Sequence, residues 1–492
     1  MGVPLFLAAA AFGAQPESSR QRLIVLADMG NEPDEEQQNI HLLVCSNEID
    51  IEGLIAVTGI FLRTNPRPDL YFKLIDAYEK VVPNLRLHAK GWAAPDYLRS
   101  VTKAGQGGYG IDDVGEGKSS SGSKLIVDAV TRNDPRPIWV VVNAGSNTLA
   151  QALWDYRAAH RPAEVDAFVA KLRVFENGAQ DNAGAWICHN FPEIHWIRSN
   201  YQTYAFGGPG RREATNFGDL GPYVWEPYPE TEEGQHEWLK EHVRTGHGAL
   251  GEIYPERRFR DNSLRYIEGG GTTPWLGLMN KGLFDSDHPS WGGWSGRFTE
   301  KKMADAWSRH ARIKPDEQKV APFHVYSQVS DAWTNPETGM FYDNDYVPVW
   351  RWRRAMFNDL ICRMDWCVKP YQGANHHPVA AFDGDKSRSI VRRRAQAGEV
   401  VLLDASASAD PDGDALSYSW WVYEEASTYS GKVAIQDPAQ PKATVRIPTG
   451  AMGKQIHVIL EVKDGNKTAR LYDHRRIVID ASNSVIEERS IY

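Results

Sequence analysis

Acidic side chains crowd the end of the first apolar run of the chain, residues 23–27. Asp28 follows that run directly, and Glu32, Asp34 and Glu35 come soon after it. A short buried strand that ends in carboxylates and leads into a helix is where open α/β sheets place ligands and metals. Because Ca²⁺ and Mg²⁺ prefer oxygen ligands, the pattern indicates a divalent cation site. Acids in the first turn of a helix are also favourable without a metal.

A second group of chemically capable residues lies in the segment DSDHPSWGGWSGR, residues 285–297. The imidazole of His288 can protonate a leaving group, and the indoles of Trp291 and Trp294 can stack on a sugar ring. A surface turn with packing aromatics explains the same residues equally well. Arg297 can clamp a carboxylate of a ligand or pair with an acid of the protein.

The composition limits the classes of partner that this protein is expected to bind. The chain has 492 residues, a net charge of −9 and a pI near 6.0, so it lacks the basic surplus that a nucleic-acid partner requires. Its 17 Trp and 20 Tyr offer many faces for stacking on sugar rings, which favours a carbohydrate or glycoside ligand, such as a plant or microbial polysaccharide.

The start of the chain suggests export. Residues 4–14 are apolar and end in small residues, as in a secretory signal peptide, so we interpret 1–20 as a signal-peptide-like segment. No other apolar run could span a bilayer, and we expect no membrane partner and a secreted or periplasmic location.

The four cysteines have neither zinc-finger nor disulfide-framework spacing; Cys362 and Cys367 either pair after export or remain buried thiols.

Strands and helices are predicted to alternate from residue 23 to about 200, and these elements must position the candidate residues. Strands are predicted at 23–27, 49–57, 85–88, 138–142, 172–175 and 194–197. Helices are predicted at 34–46, 69–82, 123–131, 147–158 and 181–190. This alternation predicts an α/β fold with a mainly parallel open sheet and helices on both faces. The functional loops then gather at the carboxyl ends of the strands.

The rest of the chain divides into two parts. Residues 201–372, with helix-like stretches at 300–310 and 350–367, complete a first domain of residues 21–372. The polar segment 373–378 is predicted to be a linker. Short runs at 400–403, 416–423, 442–447 and 455–463, separated by turn clusters, predict an immunoglobulin-like β-sandwich over residues 379–492.

Several long motifs occur in a fixed order: LADMGNEPDEEQ, SNEIDIEGLIAV, GYGIDDVGEGKSSSGSKLI, NAGSNTLAQAL and DSDHPSWGGWSGRF. Together they resemble the nucleoside hydrolase-like domain of the cellulose-binding Sde182 family. Residues 403–423 resemble the PKD and cadherin-like modules of secreted carbohydrate-active proteins, in which Trp420 or Trp421 belongs to the core. The resemblance covers roughly residues 21 to 480 and implies a nucleoside hydrolase-like fold with a C-terminal sandwich.

The resemblance also implies a chemistry. Nucleoside hydrolases hold a calcium ion and its water at an aspartate cluster, where one aspartate takes the proton of the water that attacks the anomeric carbon. It implies that Asp28 is the general base and a metal ligand, and that Asp34 and Glu35 are further ligands of a divalent cation, Ca²⁺. Their turn is two residues longer than in nucleoside hydrolases, and Glu35 replaces an aspartate. The last aspartate ligand is missing, and Glu268 or Asp285 is expected to substitute for it.

The residues expected to contact the substrate by this resemblance lie on the neighbouring strand-end loops. They are Asn31, Asn143, Asn147, Asn177, Gln180, Asp181, Asn182 and Glu268. Helix capping remains an alternative role for Asn147 and Asp181. The Gly-rich stretch 105–117 is interpreted as a mobile loop over the pocket, lined by Asp112, Asp113 and Glu116.

Two functions fit these expectations. The first is an exported, metal-dependent glycoside hydrolase that cleaves an N- or O-glycosidic bond of a furanosyl-type or other glycan, with His288 as a further catalytic residue. The alternative is a non-catalytic protein that binds cellulose or another polysaccharide on a hydrolase scaffold. Two features argue against an ordinary nucleoside hydrolase: the expected export, and residues 177–182, which do not reproduce the asparagine-rich loop that grips the sugar in those enzymes.

Overall fold

The computed structural model describes residues 20–199, 202–206, 238–256, 268, 270–305, 319–336 and 339–482. All of the predicted signal-peptide-like segment except Arg20 lies outside these ranges. Within them, no helix has the length and apolar character needed to cross a membrane.

A large sheet forms the centre of the first part of the chain. Its eight strands have the order β3-β2-β1-β4-β5-β6-β8-β7, and all neighbours are parallel except β7 and β8. The strands are β1 (Gln21–Ala27), β2 (Ile49–Ala56), β3 (Thr102–Ala104), β4 (Ile138–Val142), β5 (Leu172–Asn177), β6 (His195–Ser199), β7 (Phe298–Asp305) and β8 (Lys319–Gln328). The predicted mainly parallel open sheet is confirmed. Strand order reverses at β1 and β4, the kind of switch point where open α/β sheets bind ligands.

Strand β1 is apolar along nearly its whole length because both faces of the sheet are covered. Leu23 and Val25 belong to the core on one face, and Ile24 and Leu26 belong to the core on the other. The α-helices of the described residues are α1 (Asp34–Leu43), α2 (Pro68–His88), α3 (Pro95–Ser100), α4 (Ser121–Thr131), α5 (Asn147–Ala159), α6 (Pro162–Ala170), α7 (Ala183–Asn190), α8 (Gly248–Ile253), α9 (Thr273–Leu276), α10 (Val347–Trp350) and α11 (Arg353–Trp366).

Two predicted elements are wrong. Residues 85–88, predicted as a strand, form the last turn of α2. Leu74, Tyr78, Val82 and Leu85 are all buried, and this spacing continues the apolar face of the helix. Residues 300–305, predicted as the start of a helix, pair with β8 as part of β7, whereas 306–310 lie outside the described residues.

The C-terminal part is a sandwich of two sheets, ordered β11-β17-β16-β13 and β12-β15-β14. Its strands are β11 (Val391–Gln396), β12 (Val400–Asp404), β13 (Ser417–Val422), β14 (Ile435–Gln436), β15 (Lys442–Arg446), β16 (Gln455–Lys463) and β17 (Tyr472–Ser482); a separate hairpin pairs β9 (Asp331–Thr334) with β10 (Phe341–Asn344). Trp420 lies in the sandwich core, as expected for one residue of the Trp pair. Trp421 instead packs against Trp352 of the first part, with ring centroids 5.5 Å apart.

The two parts share a hydrophobic core. Tyr423 and Ile459 of the sandwich belong to the same buried cluster as Trp352 of the first part. The predicted linker packs into this contact, since His377 Nε2 lies 2.6 Å from Asp359 Oδ1. The four cysteines are buried and free. Of the two possibilities left open by the sequence, Cys362 and Cys367 are therefore buried thiols and not a disulfide.

Candidate functional site at the carboxyl edge of the sheet

Asp28 lies at the switch point of the sheet. It follows β1 directly and is only 2% exposed. Its Oδ2 atom is 3.2 Å from the point where a Cβ on Gly59 would sit, and Oε1 of Gln180 is 2.8 Å from the same point. Gly59 follows β2 and Gln180 follows β5, so the lack of a side chain at Gly59 lets oxygens from two strand ends pack closely against its backbone.

Asn143 follows β4, the strand next to β1. Its Nδ2 donates hydrogen bonds to Oε1 of Gln38 (2.9 Å) and to the carbonyl of Gly271 (3.3 Å). Its own carbonyl accepts a hydrogen bond from Nε2 of Gln180 (2.8 Å). The side-chain oxygens of Asn143 and Gln180 are buried and accept no hydrogen bond from any described residue. A buried polar atom without a partner costs about 1–3 kcal/mol, so these oxygens are suited to a ligand, an ion or water.

A second carboxylate and a phenol accompany Asp28. Glu35 of α1 is 5% exposed, and Nε2 of Gln38 donates a hydrogen bond to it. Burial raises the pKa of Tyr71 in α2 well above its ordinary value, and the charges of Glu35 and Asp28 raise it further. Tyr71 therefore remains a neutral phenol beside two carboxylates. Tyr71 was not predicted as a site residue because, in the pattern of α2, it is one of several residues on the apolar face.

The predicted metal ligands do not form a closed carboxylate shell. Among the described residues, no three of Asp28, Asp34, Glu35 and Asp285 place oxygens within 4.8 Å of one another. The donors at the edge are nevertheless all carboxylate or amide oxygens, the type that Ca²⁺ prefers. Two unsatisfied amide oxygens and the buried Asp28 carboxylate suit a hard cation held by few carboxylates.

Asp181 caps two helices at this edge. Its carboxylate accepts hydrogen bonds from the backbone N–H of Asn147 (3.2 Å), the first residue of α5, and of Ala183 (3.0 Å), the first residue of α7. Burial raises the pKa of Asp181 to about 6, although these backbone hydrogen bonds oppose the shift. The capping role left open by the sequence is thus present, and Asp181 joins the turns after β4 and β5.

Asn177 and Asn31 complete the predicted set at this edge. Oδ1 of Asn177 accepts a hydrogen bond from the hydroxyl of Thr203 (2.9 Å) and is thereby engaged within the protein. The backbone N–H of Asn31 donates to the carbonyl of Asp28 (3.2 Å), and its side chain is partly exposed. Of these two residues, Asn31 is the one open to a ligand.

The Gly-rich loop is tied to the same edge. Asn147 donates from Nδ2 to the carbonyl of Gly108 (2.8 Å), and Oδ1 of Asn182 accepts the backbone N–H of Ile111 (2.9 Å). From within the loop, Nε2 of Gln106 donates to two loop carbonyls, each at 2.8 Å. Asn147 and Asn182 therefore anchor the loop at this edge, and the mobility expected from the sequence stays a prediction.

Glu268 is satisfied within the protein. It is 1% exposed and accepts hydrogen bonds from the hydroxyls of Tyr254 (3.1 Å) and Thr272 (2.6 Å). Its other close neighbour is Nδ1 of His41, at 3.1 Å. Burial by itself lowers the pKa of His41, but the charge of Glu268 raises it overall to about 10. The structure thus assigns the Glu268 carboxylate to an internal pair rather than to the space beside Asp28.

The segment around His288 lies against the sandwich. His288 Nδ1 is 2.8 Å from Oδ1 of Asp285, and its ring stacks on Trp291 with centroids 4.2 Å apart. Trp291 in turn meets the edge of His457 in β16 at 4.8 Å. A small cavity beside this segment is bounded by Trp139, near the end of β4 opposite to Asn143. The structure therefore does not bring Asp285, His288 or Trp291 to Asp28.

Trp294 and Arg297 also lie at the contact with the sandwich. Trp294 is 1% exposed and lies edge-on to His474 of β17 at 6.3 Å. Arg297 donates from Nε to Oδ1 of Asp331 (2.6 Å), and the hydroxyl of Tyr423 donates to the other oxygen of Asp331 (2.6 Å). The aromatic and arginine residues predicted to bind a sugar thus form the contact between the two parts of the protein.

A parallel open sheet with an acidic switch point, followed by a β-sandwich, defines a nucleoside hydrolase-like protein. Residues 22–298 match the family described as cellulose-binding Sde182, nucleoside hydrolase-like domain, and residues 400–481 match the C-terminal domain of cellulose-binding protein Sde0182. The chain belongs to this family.

Among solved structures, the chain is similar to a nucleoside hydrolase-related protein from Saccharophagus degradans that is associated with carbohydrate metabolism. The two share 37% identity over 94% of this chain and 100% of that one, with a TM-score of 0.79. The effector XopQ complexed with adenosine diphosphate ribose gives 12% identity over 72% of this chain and 96% of its own, with a TM-score of 0.32, too weak for any argument. No curated protein matches the chain.

Proposed function

We propose that this protein is an exported glycoside hydrolase that cleaves a glycosidic bond of a furanosyl-type or other glycan, with Asp28 as general base and a divalent cation, Ca²⁺, as cofactor. The observation that carries the proposal is the buried Asp28 carboxylate, which packs against Gly59 together with the unsatisfied side-chain oxygen of Gln180. The family name and the association of the Saccharophagus protein with carbohydrate metabolism support a carbohydrate ligand. The signal-peptide-like segment supports a secreted or periplasmic location.

The residues at the edge have complementary tasks in this reaction. Asp28 accepts the proton of the attacking water, and its charge stabilises the positive charge that develops on the sugar ring. A bound divalent cation would lower the pKa of a water molecule that it coordinates. The free amide oxygens of Asn143 and Gln180 would hold the cation or accept sugar hydroxyls. Tyr71 supplies a neutral donor near Asp28 and Glu35.

The test is hydrolysis of a panel of N- and O-glycosides by the full chain, with and without a chelator. Asp28→Asn keeps the shape of the side chain but removes the base, so we expect a loss of roughly 10²–10⁴-fold in rate. The control is Asp96→Asn, which neutralises an exposed aspartate on α3. Activity that survives both the chelator and Asp28→Asn would reject the mechanism.

The alternative function is binding of cellulose or another polysaccharide without catalysis. The specific observation in its favour is that the predicted carboxylates do not converge into a metal shell. The full chain would then sediment with insoluble cellulose, and every glycoside in the panel would remain intact. Equal sedimentation of wild type and Asp28→Asn would further separate binding from the strand edge.

A further inference from the structure

A different group of metal-ligating side chains lies deeper along α1. One ligand atom each from His41, Cys45 and Asp359 lie within 4.8 Å of one another, and all three residues are buried. His41 and Cys45 are four residues apart around the end of α1, a spacing that places both on one side. Asp359 comes from α11, near the other end of the first part of the chain.

The imidazole of His41 is oriented as in many metal sites. Its Nδ1 lies 3.1 Å from Oε2 of Glu268, which is itself held by hydroxyls of Tyr254 and Thr272. Its Nε2 is fully buried and has no hydrogen-bond partner in the described part of the chain. A metal-bound histidine characteristically donates its other ring N–H to a carboxylate, which fixes the ring and makes the ligating nitrogen more basic.

We propose that Nε2 of His41, Sγ of Cys45 and a carboxylate oxygen of Asp359 bind one Zn²⁺ ion. Nitrogen, thiolate and carboxylate donors together favour zinc over calcium or magnesium. Tetrahedral bonds of about 2.0–2.3 Å place ligand atoms roughly 3.3–3.8 Å apart, so a small inward movement brings these three atoms into bonding range, and the fourth position of the zinc is left for water. The ion would link the end of α1 to α11. It would thereby stabilise α1, the helix that carries Glu35 of the strand-edge site.

Asp359 retains the capacity to bind. Its Oδ1 contacts His377 Nε2 (2.6 Å) and Lys281 Nζ (3.3 Å), whereas Oδ2 accepts a hydrogen bond from Nε of Arg363 (2.6 Å). Because a carboxylate oxygen has two lone pairs, Oδ2 can also face the metal. Glu48, 3.2 Å from Arg363, offsets part of the positive charge around the site.

Binding of zinc releases protons. Zinc binds Cys45 as the thiolate and His41 through an unprotonated Nε2, so the protons on these two atoms leave when the ion binds. The balance is one Zn²⁺ taken up and two protons released to the solvent. Affinity therefore rises with pH through the neutral range.

The experiment uses the full chain, stripped of metal and reconstituted with Zn²⁺ or Co²⁺. We expect about one zinc per chain by elemental analysis, and a thiolate-to-cobalt charge-transfer band in the Co²⁺ form. Cys45→Ser should abolish the band and the bound zinc. Cys188→Ser, which alters a buried cysteine in the other core, should retain both.

Anomalous diffraction at the zinc edge makes the test independent of how well Cys45→Ser folds. A peak between His41, Cys45 and Asp359 in the reconstituted wild type supports the proposal. Absence of that peak, or a cobalt band that Cys45→Ser leaves intact, overturns it. Equal zinc content in Cys45→Ser and wild type has the same consequence.

Discussion

At the scale of single residues, the candidate site depends on a glycine, Gly59, which has no side chain. A Cβ on Gly59 would come within 2.8 Å of Gln180 Oε1, 3.1 Å of Ala144 Cβ and 3.2 Å of Asp28 Oδ2. These atoms belong to the loops after β5, β4 and β1, which the core holds in place. Gly59 therefore allows Asp28 and the unsatisfied amide oxygen of Gln180 to approach its backbone more closely than any side chain would permit.

The methyl group of Gly59→Ala should displace the side chains of Gln180 and Asp28. We expect the stabilisation by Ca²⁺, measured as a rise in Tm, to disappear, because a ligand raises Tm only when it binds the folded state. Glycoside hydrolysis should be lost with it. The matched control is Gly107→Ala, whose Cβ would meet nothing within 4 Å. A Gly59→Ala protein that keeps both properties would place the ligand site elsewhere.

Asp181 gives a prediction about pH. Its folded-state pKa of about 6 lies above the unfolded value of about 3.9, so the folded protein binds this proton more tightly. The contribution is fully present below pH 4 and is lost as the pH rises to 6, by roughly 2–3 kcal/mol in the free energy of unfolding. Asp181→Asn removes the titration.

Urea unfolding at pH 4 and pH 7 measures this effect. The stability of wild type relative to Asp181→Asn should fall between the two values. Asp166→Asn, at an exposed position of α6, should show no such change. A wild type that gains stability over Asp181→Asn as the pH rises would contradict the assignment.

At the scale of elements, apolar patterns predicted the parallel sheet well. Strand β4 has the predicted bounds because it is buried on both faces and reads as a continuous apolar run. Strand β17 was missed because Arg475 and Arg476 lie inside it, fully buried. Their partners are distant in sequence, as in the hydrogen bond from Arg476 Nη2 to the carbonyl of Gly292 (2.9 Å). No local pattern reveals that such a charge is satisfied.

Site residues that the sheet topology places could be predicted, whereas those placed by contacts distant in sequence could not. Asp28, Asn143 and Gln180 follow predicted strands, so the topology alone brings them to one edge. Tyr71 reaches the edge through the packing of α2, which the sequence pattern does not specify. Glu268 looked like a free ligand because its partner His41 lies far away in the sequence.

The Gly-rich loop gives a prediction at this scale. Gln106 is 2% exposed and binds the carbonyls of Asp113 and Lys118, so it holds the loop from inside. Gln106→Ala should release the loop and speed cleavage by trypsin after Lys118, because local opening governs proteolysis. Glu116→Ala, at an exposed position of the same loop, should be cleaved like wild type. Equal resistance of Gln106→Ala would show that the other anchors suffice.

At the scale of the whole molecule, the sandwich is part of the architecture of the first domain. Tyr423, Ile459 and Leu471 share a buried cluster with residues of α11 and of the first strands. The segment around His288 is a component of this contact, and its aromatic residues are covered by the sandwich. The sandwich therefore cannot behave as a carbohydrate-binding module on a flexible tether.

A shared core implies that the two parts unfold together. Tyr423→Phe removes the hydroxyl that donates to Asp331 but retains the ring, and Asp331 keeps Arg297 as a partner. We expect the free energy of unfolding to fall by about 1–3 kcal/mol, the usual cost of breaking a buried hydrogen bond. Hydrogen exchange of peptides from β1 and β16 should accelerate by the same factor, because a single cooperative transition exposes both. Tyr418→Phe, at a partly exposed position of β13, should leave both rates unchanged. Acceleration confined to the sandwich peptides would show instead that the two parts unfold separately.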